Sequence, residues 1–106
     1  MAFKIGAPLL VAMEGARVIG ACLANRIASI EHGGVVLFVE ELYVAPDLRR
    51  RGVARALLLR LLADGHTSGI RAVELQVEGH ESARALYRSL GFEMNSRTAS
   101  VVALHR

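Results

Sequence analysis

The segment 49–55, RRRGVAR, places four arginines around a glycine and an alanine where a helical pattern begins. The first turn of a helix leaves backbone N–H groups without partners, and these groups and the helix dipole favour phosphate. Gly52 and Ala54 have almost no side chain, so a diphosphate can approach the backbone closely. The segment therefore predicts an anion site. The arginines that supply positive charge around it are Arg49, Arg50, Arg51 and Arg55.

A second segment whose residues could take part in chemistry lies about thirty residues downstream. Ala83, Leu86, Tyr87 and Leu90 recur at helical spacing and share one face, and Gly91 stands where a left-handed C-terminal cap belongs. Tyr87 is therefore expected to point inward. Its hydroxyl belongs either to a core tyrosine that reaches water or to a proton donor in a cleft, and the residues alone leave both interpretations open.

Together the two segments resemble the GNAT superfamily of acyl-CoA N-acyltransferases. The signature of that family is Arg or Gln, two residues, Gly, one residue, then Gly or Ala, and Arg49-x-x-Gly52-x-Ala54 fits it. Arginine-rich helix starts also occur as solvated faces, so the flanking matches add weight to the motif. These matches are Tyr43-Val44-x-Pro46, Ala56-Leu57-Leu58 and Ala83-x-x-Leu86-Tyr87-x-x-x-Gly91-Phe92.

The resemblance implies direct transfer of an acetyl group from the cosubstrate acetyl-CoA to a primary amine, with no covalent enzyme intermediate and no metal. Backbone groups of Leu42 to Val44 would bind the pantetheine, amides from Arg50 to Arg55 would hold the pyrophosphate, and Tyr87 would reprotonate the departing thiolate. The cofactor-binding residues expected on this basis are Leu42, Tyr43, Val44, Arg49, Arg50, Arg51, Gly52, Val53, Ala54, Arg55 and His80.

A protonated amine acceptor needs a base, and Glu40 and Glu41 lie on the strand that leads to the anion turn. With the period of two in a strand they point to opposite faces unless a bulge intervenes, so only one would face the cleft. The resemblance favours Glu41, while a solvated edge remains the alternative for both. His80 stands where the family usually has Asn, and it is either a solvent-exposed loop residue or a group near the thioester.

Alternating apolar residues and turn residues predict the elements that hold these segments. The predicted strands cover 9–13, 17–29, 35–44 and 70–77, the predicted helices 52–63 and 81–90, and a closing strand 97–104. Glu14-Gly15-Ala16 is a turn, so the first two strands form a hairpin. Because the strand 70–77 follows a helix, it should lie parallel to the strand that ends at Val44, which makes a βαβ unit.

The expected fold class is thus α/β (α+β), a GNAT-like mixed β-sheet with a central βαβ unit, an N-terminal hairpin and two main helices. A length of 106 residues predicts one domain, 1–106. Fewer residues precede Val44 than the family usually has, so the first strand and first two helices are expected to be missing or reduced. In the family those helices shape the acceptor pocket, and their loss would leave apolar surface uncovered.

Composition narrows the environment and the partners. Hydrophobic residues make up 53%, yet no apolar run approaches the roughly twenty residues of a membrane span, so no membrane partner is expected. Without a signal-peptide pattern the expected location is cytoplasmic. Cys22 is the only cysteine and is expected to be a buried small hydrophobe. The hydrophobic excess predicts a homodimer.

Three classes of function remain open at this point. An N-acetyltransferase acting on a small-molecule or peptide amine is favoured, and a catalytically silent acyl-CoA-binding module is the main alternative. The third is a nucleic-acid binder, and it is disfavoured because the net charge of +3 is concentrated in the arginines of 49–55, without interleaved aromatic residues.

Overall fold

The structure is a computed structural model that describes residues 1–6, 9–77, 81–94 and 98–102. A mixed sheet carries two α-helices on one face, which confirms the expected fold class. The strands are β1 (Ala2–Gly6), β2 (Leu9–Glu14), β3 (Arg17–Ser29), β4 (Gly34–Val44), β5 (Ala72–Gln76), β6 (Glu93–Met94) and β7 (Thr98–Val102). The helices are α1 (Val53–Thr67) and α2 (Glu81–Ser89), and a short 3-10 helix covers Pro46–Leu48.

The seven strands lie in the order β1-β2-β3-β4-β5-β7-β6. β4 and β5 are parallel, as the βαβ prediction requires, and β2 and β3 form the predicted antiparallel hairpin. β5 runs antiparallel to β7, which lies within the predicted closing strand. The two-residue strand β6 pairs with β7 and has no counterpart in the sequence prediction.

One face of the sheet, here called the covered face, packs against α1. Leu57 and Leu58 of α1 are fully buried, and Cys22 lies at the same depth on β3. Gly20 allows the close approach of helix and strand, since a Cβ atom there would lie 2.8 Å from Val53 Cγ1 and 3.0 Å from the Tyr43 carbonyl oxygen. The apolar stripe read from the sequence of this helix is therefore what fixes it to the sheet.

Helix α1 continues to Thr67, four residues beyond the prediction. Gly65 lies inside the helix and is buried, so it does not end it. The end comes at Gly69, whose φ of 79° suits glycine, with Gly69 N–H donating to the His66 carbonyl and Ile70 N–H to the Gly65 carbonyl. The same pair of bonds ends α2 at Gly91, as predicted.

The chain before β2 contributes one strand to the sheet. A short strand, β1, pairs directly with β2, and the first α-helix within residues 1–6 and 9–77 begins at Val53. Among the described residues, neither helix is long and apolar enough to cross a membrane.

The opposite face of the sheet, here called the open face, has neither α1 nor α2 over it. Leu9, Val11 and Met13 alternate along β2 with the buried Leu10 and Ala12, so they point to this side and are partly exposed. Paired residues of neighbouring strands share a face, which extends the open face to β3 and β4. Its apolar members towards the end of β4 are Leu9, Val11, Met13, Ala21, Leu23 and Tyr43.

Candidate active site

A β-bulge lies where β4 approaches the site. Leu23 of β3 pairs with Glu41 of β4, but the next residue, Ala24, pairs with Val39, so Glu40 is the extra residue. The bulge was left open as a possibility by the sequence, and it changes which way the two glutamates point. It also coincides with the end of pairing between β4 and β5, since that ladder stops at Val39 and Leu75.

Beyond this point β4 continues to Val44 without β5 beside it, so the two parallel strands separate. A cavity of about 210 Å³, here called the gap cavity, lies at the separation. Both faces of the sheet contribute to it, because Leu42 and Leu75 belong to the covered face and Phe38 to the open face. Its lining residues are Phe38, Val39, Glu40, Glu41, Leu42, Leu75, Gln76 and Tyr87.

Glu40 and Glu41 both line this cavity, because the two faces of the sheet contribute to it at the bulge. Both residues are exposed, so their carboxylates remain hydrated. Two acidic groups beside one cavity favour the binding of a cationic ligand.

A second cavity of about 650 Å³, here called the cleft, lies between the end of β4, the start of α1 and one side of α2. It shares Leu42 and Tyr87 with the gap cavity, so the two spaces meet at these residues. Its lining residues are Leu42, Tyr43, Val44, Arg49, Arg50, Gly52, Val53, Ala54, Arg55, Ala83, Leu86 and Tyr87.

The turn at the start of α1 presents the backbone to the cleft. Gly52 is the N-cap with φ 83°, Arg50 also has a left-handed φ of 65°, and the N-cap makes no side-chain hydrogen bond. A Cβ atom at Gly52 would meet nothing within 4 Å, so there is open space above the backbone here. Amides in the first turn are thus available to an anion, and three arginines, Arg49, Arg50 and Arg55, line the same cleft.

The backbone of β4 supplies the opposite wall. Ala45 N–H donates to the Ile19 carbonyl at 2.9 Å, so bonded positions in this antiparallel ladder fall on odd residues of β4. Leu42 and Val44 therefore direct their N–H and C=O groups away from β3, into the space that β5 has left. Arg49 Nε donates to the Val44 carbonyl at 3.3 Å, which brings this guanidinium to the cleft wall.

Tyr87 stands where the two cavities meet and is half-buried. Its ring centroid lies 6.0 Å from that of Phe92 with a tilt of 57°, and its carbonyl accepts the Phe92 N–H. Burial raises the pKa of the Tyr87 hydroxyl, and the nearby Cys22 adds to the rise. The phenol therefore stays protonated throughout the neutral range and can donate a proton.

A hydrogen-bonded chain ties α1 to α2 across the cleft. Arg55 Nη1 donates to Ser89 Oγ at 2.8 Å, and Ser89 Oγ donates to the Leu86 carbonyl at 2.7 Å. Leu86 is the neighbour of Tyr87, so this chain fixes the segment of α2 that carries the phenol.

The structure brings together most of the residues singled out in the sequence. Arg51 is the exception among the arginines, because it does not line the cleft, whereas Arg49, Arg50 and Arg55 do. His80 lies outside the described residues. Phe38, Val39, Leu75 and Gln76 line the cavities without having been singled out in the sequence, and Ala83 and Leu86 were expected on the apolar stripe of α2 but not as site residues.

Comparisons with known proteins agree with this geometry. Residues 3–92 match the model of the acetyltransferase (GNAT) family. The chain is 40% identical over 75 residues to an uncharacterized N-acetyltransferase of Methanocaldococcus jannaschii, covering 69% of this chain and 32% of that protein. It is 39% identical over 72 residues to the ribosomal protein bS18-alanine N-acetyltransferase of Salmonella typhimurium, covering 64% of this chain and 49% of that enzyme.

A crystal structure of the ribosomal-protein-S18-alanine N-acetyltransferase from Escherichia coli shares the fold. The TM-score is 0.77 at 19% identity, over 92% of this chain and 71% of that one. The matched part of this chain spans about a third and about half of the length of the two curated relatives.

Proposed function

This chain belongs to the GNAT acetyltransferase family, and on that premise we propose that it transfers an acetyl group from acetyl-CoA to a primary amine. The observation that carries the proposal is the meeting of two cavities at Leu42 and Tyr87. One cavity has an anion-binding turn at its far end, and the other has two carboxylates at its mouth. A donor with a diphosphate and a cationic acceptor can therefore reach the same point from two sides.

The cleft fits the donor by its chemistry. A diphosphate would accept hydrogen bonds from the amides of the first turn of α1, with Arg49 and Arg50 supplying charge. The pantetheine amides would pair with the backbone groups of Leu42 and Val44 that point away from β3, as an added strand does. Its thioester would then lie beside Tyr87, where the separated strands leave room.

Acetyl-CoA supplies an activated thioester carbonyl. An ammonium acceptor first gives a proton to a carboxylate, directly or through water, and we assign this base role to Glu41 or Glu40. The amine nitrogen then bonds to the carbonyl carbon while the carbon–sulfur bond breaks and its electron pair leaves with sulfur. Tyr87 donates its hydroxyl proton to that thiolate, and its raised pKa keeps the proton available at neutral pH. The second proton of the acylated nitrogen then returns to the Tyr87 oxygen through water, which leaves a neutral amide, a free thiol and a protonated Tyr87.

The binding step is tested by calorimetric titration with acetyl-CoA. Arg50→Glu reverses a charge in the cleft, while Arg51→Glu makes the same change one residue away, outside it. We expect about a tenfold loss of affinity for the first variant and little change for the second. Equal losses of affinity in the two variants would reject the proposed anion site at the start of α1, because the overall positive charge of the protein would then explain the binding.

The transfer step is tested by release of free thiol from acetyl-CoA in the presence of a panel of primary amines. Thiol release that depends on the amine establishes the transferase. Binding without turnover across the panel would instead identify an acyl-CoA-binding module. The homodimer and the cytoplasmic location stay predictions, and light scattering at micromolar concentration tests the first.

A further inference from the structure

The open face borders the gap cavity directly. Glu41 pairs with Leu23, and Leu23 pairs with Leu9, so one row of side chains runs from the cavity across three strands. The next row runs from Tyr43 through Ala21, Val11 and Lys4 to the edge of the sheet. Apart from Glu41 at the cavity and Lys4 at the far edge, both rows are apolar.

Exposure along these rows is high for apolar residues. Leu9 is 41% exposed and Tyr43 44%, and Val11, Ala21 and Leu23 between them are partly exposed. Contiguous exposed apolar surface beside a site indicates that a binding partner covers it. Here the surface begins at the cavity wall, so whatever enters the gap cavity from this side must pass over it.

Charge on the open face is acidic near the cavity. Glu40 and Glu41 line the cavity mouth, and Glu74 lies on β5 opposite Phe38, with His32 Nε2 3.6 Å from its carboxylate. The basic Lys4 lies three strands away, at about 14 Å. Positive charge near the amine of an acceptor would therefore favour its binding at this site.

We propose that the acceptor is a polypeptide segment carrying basic and apolar side chains, which lies across the open face with its amine in the gap cavity. The inference rests on the proposed acetyl transfer. A volume of about 210 Å³ holds the amine-bearing end of an acceptor and no more. The rest of the acceptor must then bind outside the cavity, and the open face is the surface that adjoins it.

The dimensions set the length of the segment. From β4 to β2 is two strand spacings, about 10 Å, which about three residues of extended chain span. The residue with the amine would occupy the cavity, and the next few would lie over Leu23, Leu9 and Val11. Specificity would thus depend on the acceptor residues that directly follow the one that carries the amine.

The test compares acceptors that share one amine. The first is a hexapeptide with leucine and valine at its second and fourth positions and arginine at its third. Another is the same peptide with serine at the apolar positions and glutamate at the third, and the last is the free amide of the first residue. Turnover is measured with acetyl-CoA, and peptide binding is measured separately by calorimetry on protein saturated with CoA.

Two matched variants locate the contact. Leu9→Ser removes an apolar side chain from the open face, whereas Leu59→Ser removes one of similar exposure, 47%, from α1. We expect Leu9→Ser to weaken binding of the basic apolar peptide about fivefold, without changing acetyl-CoA affinity or turnover of the free amide. Leu59→Ser should leave all three values as they are.

The outcomes separate this inference from the proposed function. A basic apolar peptide at least about tenfold better than the other two acceptors supports the docking surface. Peptide binding that depends on Leu9 but gives no turnover also supports the docking surface. That result would reject only the proposed acetyl transfer. If the free amide is turned over and neither peptide is turned over faster, the inference is overturned while the proposed acetyl transfer stands. A dimer in light scattering that Leu9→Ser converts to monomer also overturns it, because a second copy would then occupy the face.

Discussion

The covered face and the open face of the sheet come from the same strands, yet they differ in what surrounds them. On β3, Cys22 is fully buried under α1, while its neighbours Ala21 and Leu23 point to the other side and are only partly buried. On β4, Leu42 lines the cleft with the arginine turn and Glu41 lines the gap cavity with Glu40. Donor chemistry is therefore concentrated on the covered face, and acceptor chemistry at the border of the open one.

The difference teaches how a chain of this size divides its residues between stability and function. Packing against α1 makes the covered face intolerant of added volume, since interiors are close-packed. The open face has no such constraint, so its side chains are free to be selected by a partner. Substitutions on adjacent residues of one strand should therefore have very different effects.

The largest expected effect is on stability, at Gly20. Gly20→Val should lower the free energy of unfolding by about 3 kcal/mol, because its Cβ would press on Val53 and on the backbone oxygen of Tyr43. The matched change Ala21→Val adds volume to the open face and should cost less than about 0.5 kcal/mol. Urea denaturation of both variants measures the difference, and equal losses would break the contrast between the faces.

The next largest effect is expected on kcat, at Tyr87 in the cleft of the covered face. Tyr87→Phe should reduce kcat about a hundredfold, about 2.7 kcal/mol in activation free energy, with the KM for acetyl-CoA unchanged. Tyr43→Phe removes a hydroxyl from the exposed tyrosine of the cleft and is the control. Steady-state kinetics with one amine compare the two.

The pH dependence sharpens the assignment of Tyr87. A proton donor works only while protonated, so its contribution is complete at low pH and is lost as the pH rises through its pKa. Burial raises that pKa above the ordinary 10.0, so the alkaline loss of kcat should lie above pH 10 and be absent in Tyr87→Phe. An identical alkaline limb in the variant would contradict the role.

A third prediction uses the buried thiol of the covered face. Burial raises the pKa of Cys22 from 9.0 to about 11, so below pH 9 the thiol is neutral in both folded and unfolded chains. Between these values only the unfolded chain ionises, and the stability present below pH 9 is lost as pH rises. By pH 11 the loss should reach about 2 kcal/mol.

This loss is measured as a difference. Urea denaturation of the wild type and of Cys22→Ala at pH 8 and at pH 11 separates the thiol from all other titrating groups. The gap in stability between the two proteins should shrink as the pH rises. A constant gap would show that the thiol is accessible to water in the folded chain, which would contradict the burial on the covered face.

The smallest effect is expected where the two helices are tied together. Ser89→Ala removes the acceptor of the Arg55 hydrogen bond and the donor to the Leu86 carbonyl, so the position of Tyr87 loosens. We expect kcat to fall about threefold. Ser89→Thr keeps the hydroxyl and should restore the rate, whereas a loss in both variants that tracks stability would assign Ser89 a structural role only.

The sequence was informative wherever local chemistry sets the structure. The motif at 49–55, the apolar stripe of α2 and the cap at Gly91 each depend on residues a few positions apart, so the cleft and its tyrosine could be predicted. The prediction ends α1 at residue 63, four residues too early, because Gly65 is buried inside the helix and the cap forms only at Gly69.

Tertiary structure decided what depends on strand register. The bulge at Glu40 appears only when β3 pairs with β4, and it brings both glutamates to one cavity. The separation of β4 from β5 and the placement of Arg51 outside the cleft likewise follow from how distant segments meet. By itself the sequence determined the family, the order of elements and the groups that could act, because these are local patterns. The arrangement of those groups around one point was decided by the pairing and packing of residues far apart in the chain.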